Sequence, residues 1–171
     1  MSKTDNAHPD VDAIAQDISR IALQHDFTVA AAESLTGGKI SCLLAAAPDS
    51  SSWYAGGVTS YMTRTKYEVL KVPEGDHVLT EEAVSQMALG VSELMTADVA
   101  VAVSGAGGPN GQEGNAPGTT WIAAFVRGTL HTELHHFPGD PEEVLEQTQH
   151  HALALLYDSM VEFINHQEKD I

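Results

Sequence analysis

The chain has 171 residues, with 24 acidic and 8 basic side chains for a formal net charge of −16, and 43% of it is hydrophobic. That length and mixture fit one soluble globular domain able to bury a sizeable core. They exclude a membrane helix, because no apolar run reaches the ~18 residues a span needs. They also argue against nucleic acid as a partner, because phosphate contacts supply most of such affinity.

A single cysteine, Cys42, rules out an intrachain disulfide and a cysteine-based zinc cluster. The N-terminus lacks the apolar core of a signal peptide, so a cytoplasmic protein is the simplest account. Residues 1–8 read as a disordered leader and 9–168 as a single domain. Pro9 and Asp10 open a helical pattern with Val11, Ile14, Ile18, Ile21 and Ala22 on one face. A buried strand is expected over 27–32. Ala32-Glu33-Ser34-Leu35-Thr36-Gly37-Gly38 then reads as a sharp turn into a helix over 37–47, stopped by Pro48. Asp49-Ser50-Ser51-Ser52 is turn chemistry. A second strand is expected over 57–61 and a short helix over 63–70.

Thr80, with Glu81 and Glu82 behind it, starts a helix that runs to about Met95. Residues 99–103 form a continuous apolar strand, as in a sheet covered on both faces. It runs into Ser104-Gly105-Ala106-Gly107-Gly108-Pro109-Asn110-Gly111, too rich in glycine for a regular element. A strand over 119–126, a tight turn at Arg127-Gly128 and a strand over 129–137 make an antiparallel hairpin. Asp140-Pro141-Glu142-Glu143 supplies an N-cap, a proline at the first helical position and a capping-box glutamate for the last helix. The alternation predicts a three-layer α/β/α domain with a mostly parallel mixed sheet and an antiparallel edge hairpin.

Ligands of such sheets bind beyond the C-terminal ends of the strands. Three polar segments follow strands there: 33–38, 61–66 and 104–111. If the strands are parallel neighbours, all three converge on one crevice. The first turn has two readings. Ser34 and Thr36 cap the helix, or Ser34 is a nucleophile and the amides of Leu35, Thr36 and Gly37 hold an oxyanion. A serine needs a base, and none of the nine histidines follows a strand near these loops. Lys66 can serve if burial and neighbouring cations lower its pKa, with Tyr61 to relay a proton or orient it. The result is a Ser–Lys acyl-transfer site without metal or cofactor.

The glycine-rich loop 104–109 offers backbone N–H groups to phosphate or ribose, but it has neither a Walker lysine nor a dinucleotide fingerprint. Arg64, Lys66 and Lys71 cluster, either at the site or on a solvated helix face. His131 and His135 share a strand face, as two metal ligands would. With no nearby carboxylate to complete a set, they read as an exposed polar edge.

Taken together, these segments resemble the C-terminal domain of the competence/damage-inducible protein CinA, a family that includes stand-alone nicotinamide mononucleotide (NMN) deamidases. The matches are Ala32-Glu33-Ser34-Leu35-Thr36-Gly37-Gly38, then Gly56-Gly57-Val58-Thr59-Ser60-Tyr61 with Lys66, then Val103-Ser104-Gly105-Ala106-Gly107-Gly108-Pro109. Pro117-Gly118-Thr119-Thr120-Trp121-Ile122-Ala123 and Phe137-Pro138-Gly139-Asp140 follow. They cover roughly residues 10–165. Larger members carry an additional N-terminal domain, for which 171 residues leave no room.

The resemblance implies an amidohydrolase that converts NMN to nicotinic acid mononucleotide and ammonia, with no cofactor, and a homo-oligomer. It implies Ser34 as nucleophile with Tyr61 and Lys66 assisting. It places the substrate against Glu33, Leu35, Thr36, Gly37, Gly38 and Arg64, and against the loop Ser104, Gly105, Ala106, Gly107, Gly108 and Pro109. The cationic pyridinium ring of NMN suits an acidic protein. The chain departs from the family at Gly139-Asp140-Pro141, where Gly-Asp-Arg is frequent, and near Leu145, where a further arginine is common. It also departs at Ala106-Gly107 in the third motif. Arg64, Lys39 or Arg127 could then hold the phosphate. The alternatives are an amidase for an unphosphorylated substrate and a catalytically weak relative that binds a nucleotide-like ligand.

Overall fold

Five α-helices, five strands and a short 3-10 turn at Ser50–Ser52 build the fold of the computed structural model, which describes residues 10–170; the expected leader over 1–8 lies outside the described residues. Helix α1 (Val11–Gln24) starts at Asp10, whose carboxylate accepts the Asp12 N–H, and it buries Ile14, Ile18 and Ile21 on the predicted face. Strands β1 (Val29–Glu33), β2 (Tyr54–Thr59), β3 (Val99–Gly105), β4 (Thr119–Val126) and β5 (Thr129–His136) form one sheet in the order β2-β1-β3-β4-β5. The pairs β2–β1 and β1–β3 are parallel, and β3–β4 and β4–β5 are antiparallel. Only β4 therefore opposes the common strand direction. Among the described residues no helix is long and apolar enough to cross a membrane.

Side-chain size decides what covers each face. Along β1 and β3, Val29, Ala31, Val99, Val101 and Val103 point into a core with α1, α2 (Lys39–Ala46) and α5 (Pro141–Lys169). Their alternate neighbours Ala30, Ala32, Ala100 and Ala102 point to α4 (Glu81–Met95), against Val84, Met87 and Val91. Small residues on that face let a single helix lie close to the sheet. Three layers result, as predicted. Helix α4 starts at Thr80, whose hydroxyl accepts the Ala83 N–H. At its Gly90 an added Cβ would overlap the Leu70 carbonyl, so the chain leaving α3 (Thr63–Glu68) packs directly on α4.

Several boundaries differ from expectation. Strand β2 spans Tyr54–Thr59 rather than 57–61, because pairing with β1 begins at Val29↔Tyr54 and Gly56-Gly57 hid that start. Ser60 and Tyr61 consequently lie past its end. Helix α2 begins at Lys39 rather than 37, because Gly37 and Gly38 adopt φ of 59° and 103° in the left-handed region. Ser104 and Gly105 belong to β3, paired with Trp121 and Thr120, not to the loop. The short helix α3 ends at Glu68 instead of 70. The Arg127-Gly128 turn has both residues at positive φ, 41° and 95°, as a two-residue hairpin requires. The predicted capping box of α5 is present between Asp140 and Glu143.

Candidate active site

Because β2, β1 and β3 are parallel neighbours, the segments after them leave the same end of the sheet. They meet around a cavity of about 330 Å³ lined by Ser34, Leu35, Tyr61, Thr63, Lys66, Gly105, Gly107, Gly108, Pro109, Gln112, Pro141 and Leu145. The predicted convergence of three polar segments is therefore what the fold builds.

Lys66 and Ser34 form its floor. Lys66 lies on α3 and is only 3% exposed; Ser34 follows β1 and is 9% exposed. The Lys66 Nζ donates to the Ser34 Oγ at 3.0 Å and to the Ser60 carbonyl at 2.7 Å. Ser60 is locked in turn, its N–H and hydroxyl both donating to the Glu33 carbonyl. Burial pushes the Lys66 ammonium below its ordinary value of 10.5, and the charge of Glu113 opposes this in part. A buried amine with a lowered pKa beside a hydroxyl is the arrangement a Ser–Lys pair requires. Among the described residues no histidine lines the cavity.

The turn that presents Ser34 departs from the capping reading, and one of the three amides expected to hold an oxyanion is used within it. Neither Ser34 nor Thr36 caps α2. Glu33 does so from inside: it is fully buried, and its carboxylate accepts the Ile40 and Ser41 N–H groups at 2.9 Å each. It also accepts the Thr36 and Ser41 hydroxyls at 2.7 and 2.6 Å. The first turn of α2 thus carries its own internal anion. Glu33 and Thr36 shape the turn and stand behind the cavity lining. The Gly37 N–H is consumed as well, donating to the Ser34 carbonyl at 3.1 Å. Gly38 is the N-cap residue and contributes no side chain. The Leu35 N–H has no hydrogen-bond partner among the described residues, and Leu35 lines the cavity.

The other predicted residues divide. Gly105, Gly107, Gly108 and Pro109 line the cavity; Ser104 and Ala106 are buried beneath it. Ser104 donates its hydroxyl to the Val78 carbonyl, which fixes the loop root rather than a ligand. At Gly105 an added Cβ would come within 2.9 Å of Leu35 and 2.7 Å of the Thr120 hydroxyl, so glycine is required for the loops to close together. Tyr61 is 71% exposed at the cavity mouth, with no hydrogen bond to Ser34 or Lys66. Arg64 is not at the cavity: it is exposed and pairs with Glu68 one turn along α3 at 2.8 Å. Lys71 donates to the Glu68 carbonyl, so the basic cluster contributes only Lys66. Arg127 lies over the Phe27 ring at 4.5 Å, at the β4–β5 turn and the opposite end of the sheet.

Sequence reasoning missed Thr63, Gln112 and Glu113. Glu113 receives the Val78 and Leu79 N–H groups at 3.0 and 2.9 Å and so ties the glycine loop to the start of α4. Nothing in its local sequence marks it, because its partners are 34 and 35 residues away. Pro141 and Leu145, one turn apart on α5, form an apolar wall at the two positions flagged as departures from the resembled family.

Comparison with known proteins agrees with this fold. The family model for the CinA C-terminal domain matches residues 11–160. Protein YdeJ of Escherichia coli (strain K12) is 33% identical over 151 residues, covering 85% of this chain and 88% of that protein. Nicotinamide-nucleotide amidohydrolase PncC of Enterobacter agglomerans is 38% identical over 142 residues, covering 80% of this chain and 85% of that protein. Against the longer CinA-like protein of Desulfotalea psychrophila, 35% identical, the chain spans 37% of the relative's length. The crystal structure of a CinA superfamily protein from Klebsiella pneumoniae superposes with a TM-score of 0.85 at 32% identity, covering 90% of this chain and 99% of that one. By sequence over most of its length and by fold, the chain belongs to the CinA C-terminal domain family.

Proposed function

We propose that this chain is an amidohydrolase that deamidates NMN to nicotinic acid mononucleotide and ammonia, with Ser34 as nucleophile and Lys66 as its base. The observation that carries the proposal is the buried Lys66 Nζ, 3.0 Å from the Ser34 Oγ at the floor of an open cavity. Similarity to relatives named nicotinamide-nucleotide amidohydrolase supports the substrate class.

In this mechanism neutral Lys66 keeps one N–H on the Ser60 carbonyl and turns its lone pair to the Ser34 hydroxyl. Ser34 attacks the carboxamide carbon while its proton passes to Lys66. The carbonyl oxygen becomes an oxyanion. The Leu35, Gly107 and Gly108 N–H groups, on cavity-lining residues and without partners among the described residues, are among the donors available to it. Protonated Lys66 returns the proton to the departing nitrogen, and ammonia leaves. Water then attacks the Ser34 ester with Lys66 again as base, giving the acid and restoring Ser34. Exposed Tyr61 stands at the mouth, where its ring suits a cationic pyridinium.

A second substrate reading has its own support. Among the described residues Lys66 is the only cation that lines the cavity, and it is occupied at the floor. The α5 end of the cavity offers Pro141 and Leu145, and the helix start carries Asp140, Glu142 and Glu143. The Asp140 N–H is already taken by the Glu143 carboxylate. A phosphate dianion meets little here to hold it, so an unphosphorylated carboxamide fits the same chemistry. Ammonia release from NMN, nicotinamide riboside and nicotinamide separates the readings. A kcat/KM for NMN at least tenfold above the riboside supports NMN; the reverse order assigns the unphosphorylated substrate. Ammonia from none of them overturns both and leaves a binding protein.

Lys66 has a second signature. The reaction needs its neutral form, so kcat/KM rises with pH as the ammonium loses its proton, and the rise is centred below 10.5 because burial lowers that pKa. The unfolded chain keeps the same proton up to about 10.4. Between the two values the unfolded state binds more protons, so folding stability increases with pH across that interval. Lys66→Met is expected to lower turnover about 10²–10⁴-fold and to flatten this gain, read by urea denaturation at several pH values. Wild-type turnover in Lys66→Met would remove its role as base.

A further inference from the structure

A second cluster of reactive side chains lies outside the cavity, between β5 and α5. His131, Glu133 and His135 alternate along β5 and so share one face. The Glu133 Oε2 lies 2.7 Å from the His135 Nε2, which corrects the expectation of no nearby carboxylate: Glu133 sits between the two histidines on the same strand face. His151, on α5, brings its ring centroid to 4.5 Å from that of His135. One donor atom each from Glu133, His135 and His151 lies within 4.8 Å of the other two. Donors around a tetrahedral zinc ion at about 2.0–2.2 Å stand roughly 3.4 Å apart, so small side-chain rotations close the set.

The supports of these three residues are rigid. Register with β4 is fixed at Ile122↔Glu133 and Thr120↔His135. Phe137 stacks on His135 at 4.9 Å and 8°, and its ring lies 5.0 Å from that of His151, so one apolar ring backs both imidazoles. All three donors are half-buried, which leaves a side open to water. Two imidazoles and a carboxylate with an open fourth position form a borderline donor set that suits zinc and not calcium or magnesium.

We propose that Glu133, His135 and His151 bind one Zn²⁺, with water as fourth ligand, and that the ion clips the edge strand β5 to α5. None of the three lines the Ser34 cavity, so the proposal stands apart from the amidohydrolase reading.

The test uses the full chain, stripped with chelator and titrated with Zn²⁺ and Co²⁺. One equivalent is expected to bind, with the visible absorption of low-coordinate cobalt. At a hundredfold excess over Kd, zinc should raise Tm by about 5–10 °C. His135→Gln and His151→Gln should each weaken binding at least tenfold, and His25→Gln, at an exposed histidine elsewhere, should not. Metal-free Tm values establish that each variant is folded. Should both histidine variants fail to fold, Glu133→Gln at the half-buried carboxylate decides, with the same tenfold loss expected. Absence of stoichiometric zinc binding to the wild type, or unchanged affinity in the folded variants, overturns the site and leaves Glu133 and His135 as a simple hydrogen-bonded pair.

Discussion

Ser34→Ala is expected to reduce ammonia release by about 10³-fold or more while leaving the fold and substrate binding close to wild type. On the proposed mechanism the loss follows from removing the atom that forms the acyl intermediate; a missing nucleophile disables the whole catalytic unit and not a fraction of it. The fold should survive because Ser34 is small and sits in a turn held by Glu33, not by its own hydroxyl. Lys66 keeps its 2.7 Å bond to the Ser60 carbonyl, so no buried amine is orphaned. Steady-state ammonia assay with circular dichroism reads both parts. Turnover that persists in folded Ser34→Ala would leave the amide chemistry standing and move the nucleophile elsewhere.

Glu33→Gln is the stability counterpart. The carboxylate accepts four hydrogen bonds at 2.6–2.9 Å in a fully buried position. An amide keeps one oxygen but turns an NH₂ toward two of those donors. Losing two charge-assisted bonds of roughly 1.5–3 kcal/mol each gives about 3–6 kcal/mol. That is a large share of a typical ~5–15 kcal/mol total. Urea denaturation should show it, and activity should fall too, because the same carboxylate sets the angle at which β1 hands over to Ser34. A change under about 1 kcal/mol would mean that other contacts hold the turn.

Glu33 also shows where sequence reading stopped. Strand, turn and helix were legible around it because apolar runs and glycines act locally. Its role was not, because the donors it satisfies come from residues three to eight positions ahead, and only the left-handed turn at Gly37 and Gly38 brings them back. Spacing within one element was reliable, as in the capping box of α5 and the N-cap of α4. Direction was harder to read. Arg64 and Lys66 are two residues apart on a six-residue helix, and that is enough to turn one to solvent and the other into the floor. Glu133 was legible two residues from His135 on the same strand face; what strand spacing hid is His151, which lies on another element.

The cavity is assembled from two parts of the sheet that meet where Leu35 packs on the glycine loop. Ser34 and Lys66 belong to the parallel half, after β1 and β2, and are held by Glu33 and Ser60. The facing wall, Gly107 to Pro109 with Pro141 and Leu145, comes from the loop after β3 and the start of α5. On the proposed mechanism, the reacting pair and the wall that faces it are supplied by different stretches of chain. Exchanges at 141 and 145 are therefore expected to alter what the cavity admits while the hydrogen bonds that hold the Ser34 turn stay as they are.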